Sequence, residues 1–350
     1  MEGTHRTERK SHRPRWLPSS RIVIGLAVLV ALLVLLFHAH SISHDAITVL
    51  RHFRVTRLPW LALALAAEAL SFLCYALVQR SLLEEGGARL SRRDMVALAI
   101  AATGLTNLLP GGTAPSSGWL VAQYRKRGIP MPLALWAVLA GGVAATMSVL
   151  ILTLAGAAIA GLLPAIYTVL CAVLLLAGSI GFIAAVRHLD SLDRWFRSHH
   201  RGRFDRLLTR FSQRIGDASK FRTKPTVGAR VLVLSLGNWG LDVGCLIAAF
   251  ALLGLNVPWR TVLFAYAFAQ IAGSLAPVPG GIGFVEGGMV GAFALAGTPV
   301  GGAILATILY RLITSVGVAG IGSIMLLHLS RQKSTTRAEL SSEAAALNEK

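Results

Sequence analysis

The chain has 350 residues, 54% of them hydrophobic and 14% charged, with a mean hydropathy of +0.63. Several apolar runs reach the roughly 18–20 residues needed to cross a bilayer, which excludes a soluble globular protein and points to an integral membrane protein. The formal net charge of +18 is no sign of nucleic-acid binding: the basic residues cluster in short segments flanking apolar runs, and no recognition motif accompanies them.

In chain order, apolar segments fall at 22–37, 58–79, 95–109, 132–161, 163–186, 231–254, 259–276, 284–297 and 299–328. The first, IVIGLAVLVALLVLLF, follows Arg and Lys as a signal sequence does. Its apolar stretch exceeds the usual ~7–15 residues and HAHSIS is a poor cleavage site, so it is expected to be retained as a first helix. Beyond it, His40 and His44 are one helical turn apart, with His38 and Asp45 nearby. No fixed ligand spacing is present, and a solvated or interfacial loop is favoured over a metal site. Cys74, Cys171 and Cys245 lie within apolar spans without a CxxC pair and read as small core hydrophobes. No cofactor is expected.

Lys and Arg set the orientation. Six precede residue 22, four lie in 80–94, twelve in 187–230 and four after 330, and all favour the cytoplasm. If 95–109 crossed fully, the twelve-charge loop would lie outside. The conflict disappears if 95–128 enters from the cytoplasm, turns at NLLPGG and returns, which also keeps Arg125, Lys126 and Arg127 inside. Length agrees, since fifteen residues at ~1.5 Å each fall short of a ~30 Å hydrocarbon core. By the same parity, 259–297 is a second re-entrant hairpin, folded at APVPGG and entering from the opposite face.

The two hairpins share a motif. GLTNLLPGG (104–112) aligns with GSLAPVPGG (273–281), matching Gly104 to Gly273, Pro110 to Pro279 and the glycine pairs Gly111-Gly112 and Gly280-Gly281. Each hairpin follows a helix carrying one acid, Glu68 or Asp242, and precedes one long helix. The expected fold is therefore all-α and integral to the membrane, with six full transmembrane helices plus two oppositely inserted re-entrant helical hairpins in an inverted repeat. A basic cytoplasmic tail (1–21) leads into one polytopic domain (22–330), built from repeat A (58–161), a basic cytoplasmic loop (187–230) and repeat B (231–328), with a cytoplasmic tail after it (331–350). Inverted repeats whose broken helices meet near the midplane are a transporter pattern. Non-helical backbone at that depth is tolerated only where protein buries it or it lines a wet cavity.

Four charged residues fall deep within predicted spans: Glu68, Asp242, Glu286 and Arg311. Such groups are costly in hydrocarbon and face a partner or a wet cavity. Glu286, in the first turn after the second loop, either complements the helix dipole or pairs with Arg311, binds a cation or carries a proton. Glu68 and Asp242 are either helix–helix hydrogen-bonding partners or coupling acids. Asn107 either lines the site or satisfies freed backbone groups. Within 187–230, Leu192, Trp195, Phe196, Leu207, Leu208, Phe211 and Ile215 recur at helical spacing among many Arg, as in an amphipathic helix on the anionic cytoplasmic leaflet. A peptide of residues 189–216 should gain helicity with anionic vesicles and not with neutral ones. Circular dichroism decides this, and a plain basic loop gives no change with either.

PGGIGFVEGG with the later Tyr310-Arg311, and TNLLPGG before them, resemble the lysylphosphatidylglycerol synthase transmembrane-region family over nearly all of 22–330. These are flippase-like membrane domains related to the multiple peptide resistance factor. After the first Pro-Gly-Gly, TAPSSGW lacks the charged residues that many members carry there. In full-length relatives a soluble aminoacyl-transferase domain follows; here about twenty residues remain after the last predicted helix, and no synthase activity is expected. The resemblance implies translocation of a phospholipid or polyprenyl-linked headgroup in a bacterial plasma (inner) membrane, both termini cytoplasmic. By that analogy Asn107, Pro110, Gly111, Gly112, Pro279, Gly280, Gly281, Gly283, Glu286 and Arg311 form the site. The rival readings are an ion-coupled small-molecule transporter and a non-transporting accessory subunit of a membrane glycosyltransferase or synthase. An enzyme is not expected, since no metal-ligand cluster or nucleophile–base pair stands out. Expected partners are membrane lipids and the anionic leaflet.

Overall fold

Proline marks where the long helices start. In the computed structural model, α1 (Leu58–Glu85), α4 (Met131–Ile159) and α5 (Pro225–Leu253) each carry a proline in the first turn, where its missing N–H has no helical partner to lose. The structure describes residues 57–162, 164, 224–274, 276 and 278–329. The predicted helices at 22–37 and 163–186, Cys171, the His38–Asp45 stretch, the amphipathic segment and both tails lie outside the described residues.

Every regular element among the described residues is helical. Between the long helices lie α2 (Arg92–Leu108) and α3 (Thr113–Lys126), then α6 (Val262–Ser274), a 3₁₀ turn at Pro279–Gly281, and α7 (Phe284–Leu295). The last element, α8, runs over Val300–Leu329 and contains a π-helical turn at Leu312–Gly317. With 28 to 30 residues each, α1, α4, α5 and α8 are long and apolar enough to cross a membrane. The 17, 14, 13 and 12 residues of α2, α3, α6 and α7 reach only about 18–26 Å at 1.5 Å per residue.

Helix α1 outlasts its apolar run by six residues. Arg80 and Glu84, one turn apart, pair at 2.8 Å and carry the helix on to Glu85. Helix α2 starts on Ser91, whose Oγ accepts the Asp94 N–H at 3.1 Å.

Helices α1 and α5 are antiparallel along their whole length. The Arg57 guanidinium lies against Gly254, Ser71 bonds Asn238, and Glu85 accepts the Lys224 N–H. Two apolar cores sit at opposite ends of this pair. One gathers the late part of α1 with α2, α3 and the start of α4. The other gathers the early part of α1 with α5, α6, α7 and the first half of α8. The two helix–turn–helix units, α2–α3 and α6–α7, therefore belong to opposite ends of the molecule.

Each unit is crossed by a long helix of the other half. A Cβ on Gly156 of α4 would lie 2.5 Å from the Phe264 backbone nitrogen in α6, and one on Gly322 of α8 would lie 2.8 Å from the Gly104 Cα in α2. Both crossings are backbone on backbone. Gly322→Leu is accordingly expected to cost about 1–3 kcal/mol or more, because nothing soft can give way. A thermal midpoint in detergent equal to that of the native protein would show that the crossing is looser than this.

Candidate functional site

The first turn is shaped by its proline and glycines. Leu109, ahead of Pro110, is extended (φ −102°, ψ 140°) and ends α2, as a residue before proline must. Gly111 takes φ +59°. Gly112 is helical (φ −53°, ψ −23°), but a Cβ there would collide with the Thr106 carbonyl oxygen. The hydroxyls of Thr106 and Ser116 meet at 2.7 Å and join the two arms.

The second turn is closed by ions. Arg311 Nε donates to Glu286 Oε1 at 2.7 Å and its Nη2 donates to the Gly280 carbonyl at 2.6 Å. The other Glu286 oxygen accepts the Gly283 N–H at 2.7 Å. One guanidinium and one carboxylate thus pin the 3₁₀ turn, the start of α7 and the middle of α8 together, as a charge-assisted pair can. Arg311 is the last residue before the π turn, a distortion that concentrates at functional sites.

The two turns touch. A Cβ on Gly280 would lie 3.3 Å from the Asn107 carbonyl oxygen, and the Asn107 amide donates to the Ser315 carbonyl within the π turn at 3.5 Å. The Asn107 side chain thus reaches the backbone of the π turn, and the residue also forms part of a cavity wall.

That cavity, of about 630 Å³, lies between the α1–α5 pair and the two turns. Helix α1 presents Glu68, Ser71 and Tyr75 to it; α5 presents Asn238, Trp239 and Asp242. From α2 and α3 come Thr103, Thr106 and Ser117, and from α6 and α8 come Gln270, Tyr310 and Thr314. Asp242 Oδ2 accepts from the Tyr266 hydroxyl at 2.6 Å and the Tyr310 hydroxyl at 3.1 Å. Gln270 Nε2 donates to Tyr310 at 3.3 Å. One turn along, Ser71 and Asn238 exchange bonds at 2.6–3.1 Å. The indole N–H of Trp239 has no partner among the described residues.

Of the residues expected from sequence, Asn107, Gly111, Gly112, Gly280, Gly281, Arg311, Glu68 and Asp242 come together on this wall. Pro110, Pro279, Gly283 and Glu286 are not on it; the prolines shape the turns and Glu286 acts through Arg311. Sequence reasoning missed Tyr266, Gln270, Asn238 and Trp239. The signal for part of this was present: Glu68, Ser71 and Tyr75, and likewise Asn238 and Asp242, recur at helical spacing on one face of an apolar helix. Among the described residues no group of His, Cys, Asp and Glu is arranged to hold a metal.

The family described as the lysylphosphatidylglycerol synthase TM region matches residues 22–322. The chain belongs to this family. Two UPF0104 membrane proteins of Methanothermobacter thermautotrophicus (strain Delta H) are similar to parts of it, one 30% identical over 99 residues and the other 27% over 96. These matches cover 28% and 27% of the chain, and 28% of each relative's length. As a member of the lysylphosphatidylglycerol synthase TM region family with four helices among the described residues long and apolar enough to span, the chain is a multi-pass membrane protein. The part of the synthase that it matches is, by its description, a transmembrane region and not a catalytic one.

Proposed function

We propose that the protein translocates a phospholipid or polyprenyl-linked headgroup between leaflets, as a flippase-like transporter of the bacterial plasma membrane with both termini cytoplasmic. The observation that carries this reading is the cavity of about 630 Å³, walled by both Pro-Gly-Gly turns and holding acids, amides and hydroxyls inside an otherwise apolar helix bundle. Its volume is that of a small-ligand site, large enough for a headgroup while the tails stay in lipid. Short α2–α3 and α6–α7 units at opposite ends of an antiparallel α1–α5 pair support two oppositely inserted re-entrant hairpins and an inverted repeat of 58–161 and 231–328. With the crossings expected from sequence at 22–37 and 163–186, this reading gives six spans.

The test is leaflet exchange in proteoliposomes with fluorescent phosphatidylglycerol, its lysyl form and a polyprenyl phosphate. Exchange of one of these is expected, lost in Glu286→Gln although that protein inserts normally. Trp239→Phe removes the unpartnered indole N–H together with part of a ring packed on the core and on Tyr266, and is expected to weaken exchange by about 3- to 10-fold from the lost donor, with a lowered thermal midpoint from the cavity left behind. Absence of exchange for all three lipids overturns the reading in favour of a soluble cargo or an accessory role.

A further inference from the structure

Two buried oxygens on the cavity wall are left without a donor. Glu68 Oε2 and Asp242 Oδ1 each expose less than 1 Å² and neither has a hydrogen-bond partner among the described residues. Their carboxyl groups are neighbours across the α1–α5 crossing. The tyrosine hydroxyls of α6 and α8 both bond Asp242 Oδ2, which leaves Oδ1 for Glu68. A carboxylate oxygen only accepts. Two neighbouring acceptors in low dielectric, with nothing to donate between them, are costly. A single proton on either one turns the pair into a donor and an acceptor and satisfies both.

Among the described residues no side chain bonds either oxygen. The titratable groups that face the pair are Tyr266 from α6, Tyr310 and Arg311 from α8, and Cys245 from α5. The tyrosines already donate to Asp242, and the Arg311 guanidinium is bound to Glu286 and Gly280. Tyr75 of α1 shares the wall. Helices α2 and α4 bring no titratable side chain to it: their contributions are Thr103, Thr106, Asn107 and Ala145.

We propose that the Glu68–Asp242 pair is a proton-binding site that couples the state of the cavity to a transmembrane proton gradient. The step makes and breaks one O–H bond. A proton leaves cavity water for a carboxyl oxygen of the pair and is later returned to water on the other side. The pair is placed to transmit this, because one acid comes from each of the two antiparallel helices that join the two apolar cores. Tyr310 carries the change further. Its hydroxyl touches Asp242 and it directly precedes Arg311, which holds the second turn closed.

For its cargo the proposal rests on the translocation reading; for its proton it does not. The test therefore has two arms on the full-length protein. In detergent, infrared difference spectroscopy during a pH titration is expected to show a protonated-carboxyl band that follows one titration and is lost in Glu68→Gln and in Asp242→Asn. Tyr266→Phe, which leaves both acids, is expected to move its midpoint. In proteoliposomes, an imposed pH gradient is expected to accelerate lipid exchange by the native protein, and Glu68→Gln is expected to lose that acceleration. No titrating carboxyl band, or the same band in both acid variants, overturns the proposal. So does exchange accelerated by a sodium gradient and not by a proton gradient. A band that depends on both acids, with no lipid exchanged at all, supports the proton site and overturns the translocation reading alone.

Discussion

Arg311→Ala is expected to unfasten the second helix–turn–helix unit and to lower the stability of the protein by about 3 kcal/mol. The side chains of Arg311 and Glu286 are only 10% and 21% exposed, so removing the cation leaves a largely buried anion with no counter-ion and only the Gly283 N–H to bond it. Breaking one partner from a buried pair costs about 3–5 kcal/mol, and the partial exposure places this pair at the lower end. The Gly280 carbonyl loses its donor as well. Glu286→Gln is expected to cost less, since an amide oxygen can still accept from the guanidinium or from Gly283. The double variant Arg311→Ala, Glu286→Gln should recover part of the loss of Arg311→Ala, because no buried charge remains. Thermal unfolding of the four proteins in detergent closes this cycle. Simple additivity would mean that the two side chains do not act as one clasp.

Gly112→Ala should damage the protein far more than Gly111→Ala, although the two residues are adjacent in one Pro-Gly-Gly. Gly111 has a positive φ and open space around its Cβ position, so alanine there meets only the left-handed backbone penalty, about 1–2 kcal/mol. Gly112 has ordinary helical angles but no room, with the Thr106 carbonyl oxygen, carbon and Cα all within 2.7 Å of where the alanine methyl would sit. The backbone of α2 cannot step aside without opening the turn, and a cost of about 3 kcal/mol or more follows. Leaflet exchange should fall in parallel, because Thr106 and Gly112 both line the cavity. Equal midpoints for the two variants would contradict the close packing of the turn.

Much of this was legible in the sequence because it follows from length and charge. The runs that became α1, α4, α5 and α8 are long and apolar enough to cross a membrane, and α2, α3, α6 and α7 are shorter. The proline–glycine pairs announced both turns, since no helix passes through them. Other features depend on which residues meet in space. Nothing local in Tyr266 or Gln270 distinguishes them from core residues, and they join the site only because α6 packs beside α5 and α8. Arg311 and Glu286, 25 positions apart, were recognisable as costly charges, but their use on the Gly280 carbonyl depended on the shape of the turn. Asn107 had two open roles from sequence; its contact with the Ser315 carbonyl and its place on the cavity wall depend on how α2 meets α8.

The two turns are fastened by different chemistry. The second is held by a guanidinium and a carboxylate; the first, in a stretch from 104 to 124 with no Asp, Glu, Lys or Arg, is held by hydroxyls and close backbone contact. Two halves of similar outline therefore have latches of unequal strength. Under the translocation reading proposed above, opening the first turn would break a neutral hydroxyl contact and opening the second would separate a partly buried ion pair, so the two faces would open at unequal cost.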